Sequence, residues 1–92
     1  MYRILPYTYR KASELGVMVF PSDHPHKKID IYDHRGIYLF SGGAKNAMDF
    51  PHYIEQNGKE YANERRRLYR IRHKKELKKP NTRGWYIAHL LW

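Results

Sequence analysis

Lys27-Lys28-Ile29-Asp30-Ile31-Tyr32-Asp33-His34-Arg35-Gly36-Ile37-Tyr38-Leu39-Phe40 carries the pattern from which the fold class follows. Over residues 27–33 apolar and polar side chains alternate, with Ile29 and Ile31 on one face and Asp30 and Tyr32 on the other, the period of a half-buried strand. Asp33-His34-Arg35-Gly36 can reverse the chain, Gly36 taking the positive φ that a tight turn needs. Ile37–Phe40 then returns antiparallel, and Ser41-Gly42-Gly43 ends it. Upstream, Leu15-Gly16-Val17-Met18-Val19-Phe20 is apolar and β-branched and is stopped by the turn cluster Pro21-Ser22-Asp23. These segments make a three-stranded meander. Ile4–Arg10 is a candidate fourth strand, weakened by Pro6.

Beyond Gly43 the pattern becomes helical. Asp49–Glu55 suits a short helix, with Pro51 in its first turn and Asp49 or Phe50 near the cap, and Asn57-Gly58 closes it. Lys59–Lys79 lacks both Gly and Pro, is rich in good helix formers, and is expected to form one long helix ending before Pro80. Asn81 or Thr82 can cap a last helix over Trp85–Leu91. Its near-continuous apolarity calls for burial, so Trp85, Leu91 and Trp92 are expected inside. The expected fold is therefore α+β: a small antiparallel β-meander of three or four strands packed against a long basic helix, with short flanking helices. Ninety-two residues suit a single small domain, strand-rich over 1–43 and helical and basic over 44–92.

Charge is the strongest compositional signal, with 18 Lys and Arg against 9 Asp and Glu for a net +9. It is unevenly placed. Residues 1–58 carry seven basic and six acidic side chains, whereas residues 59–92 carry eleven and three. Such asymmetry points to a polyanionic partner met by the C-terminal part. At 100° per residue, Lys59, Arg66, Arg67, Arg70, Lys74 and Lys78 fall on one side of the expected long helix with no carboxylate among them. The resulting stripe, about 28 Å long at 1.5 Å per residue, can follow several phosphates. An ordinary solvated helix face mixes Glu with Lys for i,i+4 pairing, and this one does not.

The opposite arc holds Tyr61, Ala62, Leu68, Tyr69 and His73 and is expected to face the sheet, making Tyr61 and Tyr69 buried aromatic anchors alongside Trp85 and Trp92. Arg65, Arg72 and Glu76 project into the same arc. A guanidinium there needs its donors satisfied, by Glu76, Asp49 or backbone carbonyls, which gives a structural charge network of Arg65, Arg72, His73, Glu76 and Asp49. The functional alternative is that Arg65 or Arg72, with His73, holds a phosphate.

Several classes of function find little support. The absence of Cys excludes a disulfide framework, a Cys-based zinc site and a thiol nucleophile. His24-Pro25-His26 can chelate through alternate residues, but no third ligand is set by spacing, so no metal is expected. There is no nucleophile elbow, phosphate-binding loop or spaced carboxylate pair on one element. His73 with Asn81 is distantly similar to a His-Asn-His nuclease pair, without the surrounding element order or metal ligands. No enzyme, cofactor or small-molecule substrate is expected. The longest apolar runs, Gly16–Phe20 and Trp85–Trp92, fall well short of the roughly 20 residues of a membrane span.

Lys27-Lys28-Ile29-Asp30-Ile31-Tyr32, then Leu39-Phe40-Ser41-Gly42, Met48-Asp49-Phe50, Gly58-Lys59-Glu60-Tyr61-Ala62, Tyr69-Arg70-Ile71-Arg72-His73-Lys74 and the closing Leu90-Leu91-Trp92 resemble, in the same order, a family of small basic proteins encoded by nucleocytoplasmic large DNA viruses. The Arg72-His73 pair on a Tyr-bearing basic helix and the terminal Leu-Leu-Trp are the most specific parts. The likeness spans residues 17–92 and leaves out the N-terminal extension with Pro6 and the His- and Pro-rich loop Ser22–His26. It carries over no catalytic residue. It implies a virus context, with localisation to the virion and to host cytoplasm or nucleus during assembly.

Two functions follow as expectations. In the first, the chain is a non-enzymatic virion structural protein, a minor capsid or cement-type component whose basic helix face binds acidic capsid proteins. In the second, it binds nucleic acid without sequence preference for genome packaging or condensation, since no base-reading motif is present. The wealth of tyrosine favours the first.

Overall fold

The computed structural model describes all residues, Met1–Trp92, and has the α+β class expected of the sequence. It divides into two compact units, Met1–Ala47 and Met48–Trp92.

The first unit opens with a helix, α1 (Pro6–Leu15), where a fourth strand was the expectation. Pro6 occupies the first turn, where its fixed φ suits a helix and its missing N–H costs nothing. Gly16 closes α1 at φ 73°, donating to the carbonyls of Ala12 and Ser13, a left-handed conformation that favours glycine. The apolar stripe of α1 is thin, with only Thr8 and Ala12 buried. An alternating Tyr-Thr-Tyr segment mimics a strand when so little of the helix is core.

Three antiparallel strands follow in the order β1-β2-β3: β1 (Val17–Pro21), β2 (Lys27–Asp33) and β3 (Tyr38–Ala44). Val19 lies opposite Ile31, and Ile31 opposite Phe40, so Val17, Val19, Ile29 and Ile31 share one buried face. Ile29 and Ile31 are wholly inaccessible. The other face carries Met18, Phe20, Asp30, Tyr32, Tyr38 and Ser41. There the Phe20, Tyr32 and Tyr38 rings meet edge to face at 5.5 and 5.6 Å, and the Ser41 hydroxyl donates to Asp30 at 2.5 Å. A bulge between Ile31 and Tyr32 lets Leu39 slip out of register. β3 runs on through Ser41-Gly42-Gly43 rather than stopping there, because Gly42 stays paired opposite Ile29.

The β2–β3 turn is held by Asp33. Its carboxylate accepts the backbone N–H groups of Arg35 and Ile37, each at 2.9 Å, while Gly36 takes φ 83°. The Ile37 N–H above all, and then Arg35, hold the Asp33 carboxyl below the ordinary aspartate range. A depressed folded-state value means that this contribution to stability is present at neutral pH and is lost as pH falls through that value. We expect an NMR titration to place Asp33 below an unstructured aspartate, with the Ile37 amide shift following the same midpoint. Titration at or above the ordinary value would refute the assignment.

The second unit is helical: α2 (Phe50–Asn57), α3 (Lys59–Arg72), α4 (Lys74–Leu77) and α5 (Arg83–Leu91). Asp49 caps α2, its side chain accepting from the His52 N–H. Gly58 at φ 88°, ψ 166° joins α2 to α3 in a region essentially confined to glycine. Thr82, one of the two caps expected, caps α5 by accepting from the Trp85 N–H. The single long helix expected over Lys59–Lys79 is interrupted at His73, whose φ −109° and ψ 27° end α3. A further short helical turn carries the chain to Lys78. No helix is long and apolar enough to cross a membrane.

Candidate polyanion interface

The break at His73 reorganises the basic surface. Around the end of α3 and the start of α4 lie two open concavities that share Ile71 and Lys74. One, of about 650 Å³, is lined by Asn63, Arg66, Arg67, Arg70, Ile71 and Lys74. The other, of about 690 Å³, runs from Ile71 and Arg72 past Lys74, Lys75 and Glu76 to Lys78 and Lys79. Lys59 is exposed at the far end of α3 and lines neither. Five of the six cations of the expected stripe thus line one or other concavity, on two helices instead of one straight line.

Those five are not equivalent. Arg67 is clamped by Glu64, with Nη2 to Oε1 at 2.6 Å and Nε to Oε2 at 3.0 Å. That bond and the attached charge hold the Glu64 carboxyl below its ordinary range and raise Arg67 further. Arg66 lies with its guanidinium 4.0 Å from the Phe50 ring centroid and donates to the Asn63 side chain at 3.0 Å. Arg70, Lys74, Lys75 and Lys78 have no such carboxylate. Arg72, exposed beside them, has none either.

The inner charge network differs from expectation. Arg72 is exposed, and Glu76 bonds His73 Nδ1 at 3.4 Å instead. An i,i+4 pair requires continuous helix, and the change of backbone angles at His73 removes that phase relation. The Glu76 carboxyl is held down chiefly by its own backbone N–H at the start of α4, with the His73 bond adding to it. Arg65 lies over the Tyr53 ring at 5.6 Å, with its Nε buried and unbonded. Asp49 is fully buried and holds His52 Nδ1 at 2.7 Å. Of the residues considered for a phosphate pocket, Arg65 lies over Tyr53, while the His73 ring is stacked on Tyr69 at 4.1 Å with its Nδ1 turned to Glu76.

Of the aromatic anchors, Tyr69 and Trp92 are buried and stack in parallel at 4.4 Å and 8°. Trp85 is half-buried, edge to face with Tyr86 at 5.1 Å. Tyr61 is 48% exposed and is not an anchor: Ala62 takes the buried position, and Tyr61 turns its ring toward Tyr53 at 5.6 Å. His24 and His26 sit in the β1–β2 loop with rings 5.9 Å apart, and no group of three metal-ligating side chains is assembled anywhere.

Ile71, 60% exposed between the two concavities, and the doublets Lys74-Lys75 and Lys78-Lys79 were not visible as a unit in the sequence. The doublets were the available signal, but a straight helix spreads their members around its circumference. α4 packs closely on α5: a Cβ on Gly84 would lie 2.5 Å from Glu76 Cγ, so a larger residue there would have to displace the Glu76 side chain.

The chain matches no protein-family model, no curated protein and no solved structure with which it was compared.

Proposed function

We propose that this protein is a non-enzymatic structural component of a virus particle, of minor capsid or cement type, that docks on an acidic protein surface through the α3–α4 face. The virus context rests on the short motifs that resemble the large-DNA-virus family. The observation that carries the choice of partner is Ile71. An exposed isoleucine flanked by Arg70, Lys74 and Lys75 suits a surface offering carboxylates around an apolar patch, whereas a phosphate backbone gives an isoleucine nothing to bury against.

The protein is then expected to copurify with the capsid at fixed stoichiometry after nuclease treatment. Ile71→Ser combined with Arg70→Gln should reduce incorporation and leave genome content unchanged. Loss of the protein on nuclease treatment would overturn this reading.

The second reading, sequence-independent binding to nucleic acid, is supported by the exposed cations of this face that have no carboxylate partner, Arg70, Lys74, Lys75 and Lys78 among them. If Arg70, Lys74, Lys75 and Lys78 track phosphates, log affinity for duplex DNA should fall with log salt at a slope near ~−4, at about −0.9 per contact. Changing Arg70, Lys74 and Lys78 together to Gln should flatten it by ~3 units. Equal slopes for wild type and the triple variant would remove this reading.

A further inference from the structure

β1 is an edge strand, paired with β2 on one side only. The Ser22 N–H donates to the Lys28 carbonyl at 3.0 Å. Antiparallel alternation therefore turns the backbone of Phe20 and Met18 toward β2 and that of Val17 and Val19 outward. Along this edge runs an open groove of about 380 Å³, lined by Tyr9, Ala12 and Ser13 of α1 and by residues 17–20 of β1. Natural edges are usually blunted by charged side chains, bulges or irregular backbone. β3 has such protection in its bulge and in Gly43 at φ 80°. β1 has neither a charge nor a bulge, only Pro21 at its end.

We propose that β1 pairs antiparallel with β1 of a second copy of this chain about a two-fold axis through Val19, joining the two sheets into one. In this register the two Val19 residues exchange both backbone hydrogen bonds, and each Val17 N–H reaches the carbonyl of Pro21 of the second copy. Pro21 has no N–H to return, so it ends the ladder and limits its length. On the exposed face Met18 stands directly across from Phe20 of the second copy. A thioether meets an aromatic ring twice over, and the Tyr38–Tyr32–Phe20 ladder continues across the axis.

Charge selects this occupant. In a chain of net +9, copies repel wherever their basic surfaces meet, whereas the lining of this groove carries no charge. The same lack of cations gives a polyanion no hold. The contact is isologous and therefore closes as a dimer instead of growing into a fibre.

The full chain should sediment as a dimer that added salt does not dissociate, since salt screens the repulsion between the two basic copies. Met18→Lys with Phe20→Lys places like charges across the axis and should halve the apparent mass with an unchanged far-UV circular dichroism spectrum. Both side chains are substantially exposed, at 39% and 49%, so the fold has little need of them. Because the chain has no cysteine, Met18→Cys with Phe20→Cys should form a covalent dimer on mild oxidation, whereas either change alone should not. A wild type that stays monomeric throughout, leaving the edge to a strand of another protein, overturns the proposal. So does a dimer that survives the lysine changes or that the paired cysteines do not cross-link.

Discussion

Replacing Trp92 with alanine is expected to remove about 3–5 kcal/mol of stability, the range for truncating a buried aromatic side chain. The indole is 8% exposed, lies flat on Tyr69, and has the Tyr53 ring 6.0 Å away. Tyr69 in turn stacks on His73, so the cavity opens beneath the junction of α3 and α4. Urea denaturation followed by circular dichroism measures the loss, and Trp92→Phe should retain part of the stabilisation. A second readout is specific to the stack. Burial, and secondarily Glu76, push the Tyr69 phenol above its ordinary value, so uncovering the ring in the alanine variant should lower that value. An unchanged midpoint in urea would show that the indole is not part of the core.

Asp49→Ala should also be damaging, at about 2–4 kcal/mol, because it removes the helix cap and leaves the part-buried His52 ring nitrogen without its hydrogen-bond partner. The carboxylate is wholly inaccessible. One oxygen serves two partners, the His52 N–H at 3.2 Å as the helix cap and His52 Nδ1 at 2.7 Å. Asp49→Asn keeps a capping acceptor and should recover about 1 kcal/mol of the loss, the usual worth of a cap. Thermal and urea denaturation of the two variants separate cap from pair. If Asp49→Ala costs no more than about 1 kcal/mol, only the cap matters.

These two residues contrast in how far they could be read in advance. Asp49 before Phe50-Pro51 is a capping signal complete within a few residues, and the structure uses Asp49 as the cap. The same holds for Ile29 and Ile31, whose alternation places them on a common face wherever the strand lies, and for Asp33–Gly36, where turn chemistry is local. Trp92 was expected to be buried because a terminal run of apolar residues has nowhere else to go. Which ring it would meet was not legible.

Local chemistry misled at Pro6 and His73. Pro6 lowers the odds of a strand but is neutral or favourable at the first turn of a helix, and the thin apolar stripe of α1 could not settle which applied. No Gly or Pro marks the interruption at His73. It is accompanied there by contacts with residues distant along the helix or outside it: the Tyr69 ring packed between His73 and Trp92, the bond from His73 to Glu76, and the close pass of Gly84 against the Glu76 side chain.

Strands, turns and caps were readable because the interactions that make them span a few residues. The shape of the basic surface was not. Whether ten cations over residues 59–79 form a straight stripe or a folded pair of concavities depends on where the helix breaks. Which of them remain available depends on neighbours such as Glu64 and Phe50. Periodicity assigns each residue an angle on an unbroken cylinder, and only packing against the rest of the second unit shows where that cylinder ends.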